Sequence, residues 1–532
     1  MEEEAVYRIL VADNLSPKGI EILKREKAIK CYVWANFSPG ELRATIGEYD
    51  GIIIRSKTKL TADIINASER LKVIGRAGIG VDNIDVQDAT RRGILVMNTP
   101  RENATAAAEH TIAMMLAISR KIPQANASTK SGKWERGKFI GVELYGKTLG
   151  IIGIGNIGTI VAERAQGLKM NVIAYDPYIP EDAPIQKGIS LVALDDLLGR
   201  SDFISIHTPL TEETRNLIDG EALEKMKPGV MIINCARGGI VNEGDLLKAL
   251  KSGKVRGAAL DVFENEVEGN NPLFEVDNVI CTPHIGAATS EAQENVAVAI
   301  ADQIVDFLVN KRIRNAVNIP VVGPDVLPVL KPYLDLGEKL GSFLTQISDV
   351  AIEELSIEYK GTVAEYNVSP VTVSILRGLL TPYMGGVVNF VNASVIAKDR
   401  GIRVRESKST TAEDFASMVA IRAMGRGGRN YIAGALFGTK GFRIVQINDF
   451  LIEAVPQGNM LLIQNYDRPG VIGNIGTTLG NRNVNIATMQ FSRDRSAGVA
   501  ISLLHLDSAI SKEVMEELSQ VPDIISVKRI EL

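Results

Sequence analysis

The chain has 532 residues, of which 45% are hydrophobic and 23% are charged, as in ordinary globular proteins. Its 59 basic and 64 acidic side chains give a formal net charge of -5, which argues against a nucleic-acid or anionic-membrane binder. Three cysteines provide no disulfide framework and no paired metal ligands, so we expect a reducing, cytoplasmic location and no metal site. The length predicts roughly three to four domains.

The N-terminal segment is acidic and leads directly into an apolar run, so we expect neither a signal peptide nor a transit peptide. The sequence has no apolar run of the roughly eighteen residues that a membrane span needs. We therefore expect no membrane span.

Residues from Tyr7 to about Val96 alternate short apolar runs with amphipathic stretches. The runs YRILVAD, YDGIIIR, LKVIGRAG and GILVMN predict strands, and KGIEILKRE and ELRATIG predict helices. Strands that alternate with helices indicate a parallel α/β sheet.

A second series of strands begins after Asn98 and the helix NATAAAEHTIAMMLAISRKI. Its strand candidates are KTLGIIGIGNIG, MNVIAYD, DFISIHTPL, VMIINCARG, VRGAALDVF and NVICTPH. This is the number of strands in a complete dinucleotide-binding fold of the Rossmann type. The long helix SEAQENVAVAIADQIVDFLVNKR closes the unit.

A cluster of prolines then predicts a linker or a domain boundary, with members at Pro320, Pro324, Pro328 and Pro332. Residues from about 333 to 455 form another mixed α/β segment, whose purpose the pattern does not indicate. The stretch from about Gly458 has the order βαββαβ, which is that of a ferredoxin-like domain.

A GxGxxG motif lies between the predicted strand TLGII and the predicted helix GTIVAERAQGLK. Gly153 permits a tight turn, Gly155 lets the backbone approach a pyrophosphate, and Gly158 lets helix and strand pack closely. The next strand ends in Asp176, whose carboxylate accepts hydrogen bonds from a ribose 2′-hydroxyl and repels a 2′-phosphate. The motif therefore predicts NAD; the alternative is a glycine-rich turn of purely structural use.

Oxidation of an alcohol by NAD needs a base for the hydroxyl proton and a cation for the substrate's carboxylate. His284 is the best candidate base, because it follows a predicted strand, where ligands bind in such folds. His207 lies near the cofactor motif but also suits a structural role, and we expect His110 to pack in the core. His505 lies in the C-terminal module, far from the motif.

Glu264, Glu266 and Glu268 precede His284 and are candidates to orient its ring. Their spacing does not select one of them, and a solvated acidic loop is the ordinary explanation of such a run. Arg237, in VMIINCARGG, lies at the mouth of an apolar strand. Its guanidinium either binds an anionic ligand there or pairs with a nearby acid.

Several segments together resemble the D-2-hydroxyacid dehydrogenase family: GIGNIG with YDP, HTPLTEETRNLI, INCARGGIVNEGDLLKAL, AALDVFENE and TPHIGAATSEAQ. The whole chain resembles the long form of that family, which has an intervening domain and a C-terminal ACT domain. The resemblance implies an α/β fold in which a Rossmann-type NAD-binding domain (99–286) is inserted in a flavodoxin-like substrate-binding domain (1–98 and 287–316). An α/β intervening domain (317–455) and a ferredoxin-like βαββαβ ACT domain (458–532) would follow.

The resemblance implies a catalytic set of Arg237, Glu266 and His284. Arg237 would hold the substrate's carboxylate, and His284 would take the hydroxyl proton with Glu266 raising its basicity. The family usually has proline after this acid, whereas Val267 follows here. The implied cofactor contacts are Gly153, Gly155, Asn156, Ile157, Gly158, Asp176, Thr208, Cys235, Asp261 and Gly286. The implied substrate contacts are Arg55, Ser56, Gly78, Gly80, Asn103 and Arg237.

This form of the family implies NAD-dependent oxidation of 3-phospho-D-glycerate to 3-phosphohydroxypyruvate, the first step of L-serine synthesis. Arg237 can serve the substrate's carboxylate, while Arg55 and Arg76 can serve its phosphate; alternatively, these two arginines form surface pairs. Two other interpretations stay open. One is a dehydrogenase for another 2-hydroxyacid, such as 2-hydroxyglutarate or glyoxylate, and the other is a non-catalytic ligand-sensing scaffold.

The stretch NYDRPGVIGNIGTTLGNRNVNIATMQFSRD resembles the ACT domain, a module that binds small amino acids at paired interfaces. The resemblance implies L-serine as the effector, with Asn465, Asp467 and Asn485 as polar contacts, although DRPG is also a good turn sequence. Cations in AKDRGIRVRESK and AIRAMGRGGRNY suit an anion or second effector site, or a solvated face. The family also implies a homotetramer, paired through the helix near Asn103–Lys121 and through the ACT sheets.

Overall fold

A computed structural model describes residues 6–180, 188–266, 270–323, 325–349, 351–411, 415–426, 428–438, 441–494 and 498–532. Its strands form four sheets, and the helices pack against them. Within these ranges, no helix combines the length and the apolar character that crossing a membrane requires.

The first sheet has five parallel strands in the order β2-β1-β3-β4-β5, which is the flavodoxin-like order. Its elements are β1 (Tyr7–Val11), α1 (Pro17–Arg25), β2 (Ile29–Val33), α2 (Pro39–Thr45), β3 (Gly51–Ile54), α3 (Ala62–Asn66), β4 (Val73–Arg76), α4 (Val86–Arg91) and β5 (Leu95–Met97). The sequence predicted all of these strands except β2. That strand lies at the edge of the sheet and has one buried residue, Ile29, so its apolar pattern is weak.

The second sheet has seven parallel strands in the order β12-β11-β10-β9-β6-β7-β8. Its elements are α5 (Ala104–Arg120), α6 (Ile122–Lys130), β6 (Thr148–Ile152), α7 (Asn156–Gly167), β7 (Asn171–Tyr175), β8 (Ile189–Leu191), α8 (Leu194–Arg200), β9 (Phe203–Ile206), α9 (Gly220–Lys225), β10 (Val230–Asn234), α10 (Glu243–Ser252), β11 (Val255–Leu260) and β12 (Val279–Cys281). Across the sheet, the six strands β8-β7-β6-β9-β10-β11 have the Rossmann order, and β12 adds a seventh strand. The sequence missed β8, which is three residues long and lies at the edge.

The helix α11 (Ser290–Leu308) follows the second sheet in sequence but packs on the first. Its Ile300 and Ile304 are fully buried against Ile9 and Val73. Burial of each such side chain contributes roughly 1.5–3 kcal/mol. The chain therefore crosses twice between the two parallel sheets, once before α5 and once before α11.

The third sheet has the order β14-β13-β15-β16-β17-β18, with a parallel pair at β13 and β14 and antiparallel pairs elsewhere. Its elements are α12 (Leu327–Ile347), β13 (Glu354–Gly361), α13 (Ser369–Met384), α14 (Ala393–Asp399), β14 (Arg403–Ser409), β15 (Ser417–Gly425), β16 (Gly428–Leu436), β17 (Phe442–Ile447) and β18 (Phe450–Ala454). Short 3-10 helices join elements throughout the chain, at Ile46–Glu48, Arg136–Phe139, Pro272–Glu275, Thr362–Glu365 and Gly385–Val387.

Two prolines of the cluster lie in a helix and not in a linker, while a domain boundary near the cluster stays a prediction. Pro328 lies in the first turn of α12, where no backbone N–H is needed, and Pro332 lies inside the helix. Pro332 removes one helical hydrogen bond. The apolar face of α12, which includes the fully buried Leu336, packs along α13, and this packing outweighs the lost bond. Pro324 lies outside the described residues.

The fourth sheet is antiparallel, in the order β20-β21-β19-β22. Its elements are β19 (Asn459–Tyr466), α15 (Val471–Asn481), β20 (Ile486–Asp494), β21 (Val499–Leu506), α16 (Lys512–Gln520) and β22 (Ile524–Glu531). The order along the chain is βαββαβ, as predicted. The α/β fold class with Rossmann-like and ferredoxin-like parts is thus confirmed, while the residue boundaries of the four domains stay predictions.

Candidate active site

The predicted base and its partner acid are in contact. His284 follows β12, and its Nδ1 lies 2.9 Å from Oε1 of Glu266. A carboxylate at Nδ1 holds the proton on that nitrogen, so Nε2 keeps the lone pair that a base needs. The side chains are 40% and 41% exposed, which leaves the pair accessible to a ligand.

The neighbouring acids have other surroundings. Glu264, two positions before Glu266, has its carboxylate 3.8 Å from the guanidinium of Arg215. Glu268 and Val267 lie outside the described residues. Among the described acids of this run, Glu266 is the one that contacts His284.

A turn directly after β10 positions Arg237. Asn234 is the last residue of β10 and is buried; its Oδ1 accepts from the N–H of Ala236, and its Nδ2 donates to the carbonyl of Arg237 over 2.9 Å. These two bonds fold the loop and aim Arg237 away from the strand. Asn234 was not among the predicted site residues, although a polar residue ending an apolar strand is a signal for such a turn.

The two glycines after Arg237 are required by the path of the backbone. A Cβ on Gly238 would collide with the carbonyl of Phe263, and Gly239 has a φ of +79°. The space beside Gly238 is thus filled by the neighbouring loop and not by a ligand. These glycines shape the loop that carries Arg237.

The guanidinium of Arg237 reaches across to the first sheet. Its Nε donates to Oδ2 of Asp82 over 2.6 Å, and Asp82 follows β4. A Cβ on Gly80 would collide with Nη2 of Arg237, so the guanidinium lies directly over Gly80. The carboxyl ends of the strands in the two parallel sheets therefore face a common cleft. An acid partner was one of the two expectations for Arg237, and Asp82 is that partner.

Two further arginines lie at the first-sheet side of this cleft. Arg55 follows β3, and its backbone N–H donates to Oδ2 of the buried Asp13 over 2.6 Å. Arg76 ends β4, and a Cβ on Gly78 would collide with its Nη1. Burial, with the positive charges of Arg237 and Arg55, lowers the pKa of Arg76 to about 10.

The cleft also contains polar groups without partners. The buried Nε of Arg76 has no hydrogen-bond partner among the described residues, and neither has Oδ1 of the buried Asn103. Ser56 is exposed beside Arg55. Arg55, Ser56, Gly78, Gly80 and Asn103, all predicted as substrate contacts, thus lie at the ends of β3 and β4 or at the start of α5.

The glycine-rich loop suits a dinucleotide. Gly153 has a φ of +90°, and a Cβ there would lie 2.8 Å from the carbonyl oxygen of His207. A Cβ on Gly155 would meet no described atom within 4 Å, so the space above it is open. The helix α7 begins directly after it, at Asn156, and its N-terminal N–H groups favour an anion. Gly158 packs against the backbone of Gly153, and Ile157 is partly buried.

Asp176 lies beside this loop, at the end of β7. Its Oδ2 accepts from the N–H of Ile154 over 3.1 Å, and its Oδ1 accepts from the N–H of Tyr178 over 3.0 Å. Each carboxylate oxygen has a second lone pair, which leaves acceptors for ribose hydroxyls. The buried hydroxyl of Thr208, which follows β9, has no partner among the described residues. These features fit a bound NAD.

Asp261 follows β11 and is buried. Its carboxylate accepts from the Thr282 hydroxyl over 2.6 Å and from the N–H of Gly286 over 2.8 Å. Nε2 of His110 lies 3.3 Å from Oδ1 of Asp261. Burial alone would raise the pKa of Asp261, but hydrogen bonds from His110, Thr282 and Ile285 outweigh it and hold the pKa below its usual range. His110 is therefore part of the site and not only a core residue, which corrects the expectation.

Two other buried groups near the cofactor loop stay uncharged. Burial raises the pKa of the Cys235 thiol to about 12, and Asp261 adds to the effect. Burial lowers the pKa of His207 to about 3, and its Nε2 lies 2.8 Å from the hydroxyl of Ser205. A neutral His207 suits a structural role.

The three predicted effector contacts do not come together within one chain. Asn465 is the next-to-last residue of β19, and Asp467 follows the strand, 3.7 Å from the guanidinium of Arg493. Asn485 precedes β20, whose first residue pairs with Leu506 at the opposite end of the sheet. Oδ1 of Asn465 is buried without a partner among the described residues. The cationic strand β14 is exposed along most of its length, as a solvated face would be.

Three family models match the chain. Residues 112–286 match the NAD binding domain of D-isomer specific 2-hydroxyacid dehydrogenases, and residues 329–448 match the D-3-phosphoglycerate dehydrogenase intervening domain. Residues 459–523 match the ACT domain. The cofactor of this family's NAD binding domain is the one that the glycine-rich loop and Asp176 accommodate.

Curated relatives are similar over nearly the full chain. D-3-phosphoglycerate dehydrogenase from Synechocystis sp. is 46% identical over 518 residues, covering 97% of this chain and 93% of that one. The same enzyme from Archaeoglobus fulgidus is 43% identical over 528 residues, covering 99% and 100%.

A solved structure matches a little over half of the chain. D-lactate dehydrogenase from Aquifex aeolicus, complexed with NAD and lactic acid, has a TM-score of 0.53 and 30% identity, covering 59% of this chain and 100% of that one. The chain therefore belongs to the D-3-phosphoglycerate dehydrogenases of the D-2-hydroxyacid dehydrogenase family.

Proposed function

We propose that the chain catalyses the NAD-dependent oxidation of 3-phospho-D-glycerate to 3-phosphohydroxypyruvate, the first step of L-serine synthesis. The observation that carries this proposal is that the positive charges of Arg55 and Arg237 lie close enough to Arg76 to lower its pKa, at the ends of strands that face the cleft. A substrate with a carboxylate at one end and a phosphate at the other neutralises such a cluster. Curated relatives of the same length carry this activity in their names.

In the proposed reaction, His284 is the general base. Its Nε2 takes the proton of the C2 hydroxyl, and Glu266, at Nδ1, stabilises the imidazolium that results. NAD, when bound at the glycine-rich loop, supplies the hydride acceptor. The alcohol thus loses a proton to His284 and a hydride from C2, and the product is a ketone.

Arg237 holds the substrate's carboxylate in this proposal. Its Nη2 lies over Gly80, on the side of the guanidinium that faces the first sheet. Its Nε and Nη1 are bonded to Asp82 and to the carbonyl of Ala236, which fix its orientation before substrate binds.

Arg55 and Arg76 hold the phosphate. The lowered pKa of Arg76 reflects burial beside two like charges, a cost that a bound dianion relieves. The unpartnered Nε of Arg76 is a further donor for it. The exposed hydroxyl of Ser56 adjoins the same position.

A second candidate substrate is 2-hydroxyglutarate. Its two carboxylates also place an anion at each end, so the same three arginines support it. Glyoxylate, with a single anionic group, leaves Arg55 and Arg76 without a partner. A ligand-sensing scaffold without catalysis does not need the His284–Glu266 pair.

We also propose that L-serine regulates the enzyme at the ACT domain and that the chain forms a homotetramer. Asn465 and Asn485 lie at opposite ends of one sheet, and β20 is an edge strand. Antiparallel pairing of two such edges brings Asn485 of one copy toward Asn465 of the other, which supports an effector site shared by two copies.

A second surface supports self-association of the cofactor-binding part. The side chains of Trp134 and Ile140 are 75% and 77% exposed, and they follow α5 and α6. Exposed apolar groups of this size mark interaction surfaces when they cluster. Ile122 and Tyr145 extend the same region.

The three cysteines are free thiols, which supports a cytoplasmic location.

The test is an assay of NADH formation with 3-phospho-D-glycerate, 2-hydroxyglutarate, D-glycerate and D-lactate, each with and without L-serine. We expect the highest kcat/KM for 3-phospho-D-glycerate and a lower rate in the presence of serine. A preference for 2-hydroxyglutarate would replace the proposed substrate, and NADH binding without turnover of any hydroxyacid would favour the scaffold. A rate unchanged up to millimolar serine would remove the effector.

A further inference from the structure

The backbone that carries the candidate base has an unfavourable conformation. His284 has a φ of +54°, in the left-handed region that side chains with a Cβ rarely adopt. Such a conformation persists only where surrounding bonds hold it in place. The groups that hold it therefore determine where Nε2 of His284 lies.

Asp261 supplies most of these bonds. Its backbone carbonyl accepts from the N–H of His284 over 2.9 Å. Its carboxylate accepts from the next two N–H groups, those of Ile285 and Gly286, over 2.9 and 2.8 Å. The Thr282 hydroxyl, on the other side of His284, donates to the same carboxylate over 2.6 Å. One buried carboxylate thus holds the chain on both sides of the base.

His110 completes this arrangement from the helix α5. Its Nε2 lies 3.3 Å from the Thr282 hydroxyl oxygen and 3.3 Å from Oδ1 of Asp261. The Thr282 hydroxyl has one hydrogen, which it donates to Asp261, so its oxygen can only accept from His110. Nε2 of His110 therefore carries a hydrogen and donates it to this pair.

The link from His110 is rigid at its other end. The helix α5 has 17 residues, and its inner face is buried through residues such as Ala108, Met114 and Met115. His110 connects this packed helix to the carboxylate that holds the loop on both sides of His284. A side chain that only filled space at this position would need no donor toward Asp261.

We propose that His110, acting through Asp261 and Thr282, is a positioning residue that fixes the loop carrying His284. The inference rests on the proposed function, in which His284 Nε2 takes the hydroxyl proton. Removal of the donor lets the loop relax from its left-handed conformation and displaces Nε2. Displacements of this kind lower the rate of the chemical step more than they weaken substrate binding.

The test compares two substitutions of similar size. His110→Gln keeps an N–H donor at the end of the side chain, whereas His110→Leu keeps apolar volume and loses the donor. Ser119→Ala is a control on the same helix, because the Ser119 hydroxyl donates only locally, to the carbonyl of Leu116. For each variant, kcat, the KM for 3-phospho-D-glycerate, the Kd for NADH and the melting temperature are measured.

We expect His110→Leu to lower kcat by about 10- to 100-fold, with KM changed by no more than about twofold. His110→Gln should recover most of kcat, and Ser119→Ala should match the wild type. A kcat for His110→Leu within about threefold of the wild type would overturn the proposal. So would a His110→Gln variant as slow as His110→Leu at equal melting temperature.

A second measurement does not depend on turnover. Hydrogen exchange of a peptide spanning residues 279–288, followed by mass spectrometry, should be faster in His110→Leu than in the wild type and His110→Gln. Unchanged exchange would contradict the proposal even if the substrate were a different hydroxyacid. A wild-type enzyme that does not oxidise 3-phospho-D-glycerate, together with faster exchange in His110→Leu, would instead refute the proposed function alone.

Discussion

Residues that are far apart in sequence meet in the cleft between the two parallel sheets, whereas the predicted effector residues, close in sequence, lie at opposite ends of the ACT sheet. Arg55 follows a strand of the first sheet and His284 a strand of the second. Arg237, which follows β10, connects the two sheets through its ion pair with Asp82. Asn465 and Asn485 are separated by the length of β19. The first site can be complete in one chain, whereas the proposed effector site takes residues from two copies. The following predictions test this difference, beginning with the largest expected effect.

Removal of the base should have the largest effect. His284→Ala should lower kcat by about 10²- to 10⁴-fold, because it removes the general base. Among the described residues, no other histidine contacts Glu266 and could replace it. Steady-state rates of NADH formation measure this. His505→Ala is the control, because that histidine contacts Thr488 and Val455 in the ACT region. Equal rates for His284→Ala and the wild type would disprove the role of the base.

Loss of one phosphate-binding cation should weaken substrate binding. Arg55→Ala should raise the KM for 3-phospho-D-glycerate by about 10- to 100-fold, since it removes a charge-assisted contact. The KM for D-glycerate, which has no phosphate, should change little. Arg91→Ala, at an exposed position on α4, is the control. An unchanged KM for the phosphorylated substrate would place Arg55 outside the site.

The shared effector site can be tested with mixed chains. Asn465→Ala and Asn485→Ala should each abolish serine inhibition, raising the inhibitory concentration by about tenfold or more. A hybrid of the two variants should regain part of the inhibition, because each pair of copies then contains one intact site. Hybrids that remain insensitive would indicate that the site, if present, lies within one chain.

The smallest expected effect is on stability and concerns His207 alone. Its folded-state pKa is lowered to about 3, whereas the unfolded chain binds a proton below about 6.5. The unfolded state therefore binds more protons in this range, and stability falls by about 1.4 kcal/mol per pH unit as the pH drops below 6.5. The melting temperature of the wild type should fall more steeply between pH 6.5 and 4.5 than that of His207→Gln. Parallel declines would contradict a neutral, buried His207.

The sequence predicted those parts of the fold whose signals are local. The apolar runs of β6, β9 and β10, and the glycine loop after β6, follow from side-chain pattern and turn chemistry alone. The strand β8 escaped because three residues carry too little pattern. The first turns of α12, up to Pro332, were assigned to a linker or boundary because proline is a local breaker, whereas the burial of the apolar face of this helix is a tertiary effect.

The same distinction applies to the candidate site. The glycine motif, Asp176 and the histidine after β12 are visible as motifs. Asp82 and His110 are not, because each acts through a partner that is more than a hundred residues away in sequence. Their roles depend on which strand ends and helices meet, and that is set by the packing of the two sheets.

The most direct test of the account is the ratio of kcat/KM for 3-phospho-D-glycerate to that for D-glycerate in the wild-type enzyme. The cluster of Arg55, Arg76 and Arg237 predicts a ratio of at least about 100, because the two cations of the first sheet act only on the phosphorylated substrate. A ratio near one would show that these arginines do not recognise the phosphate and would contradict the proposed substrate.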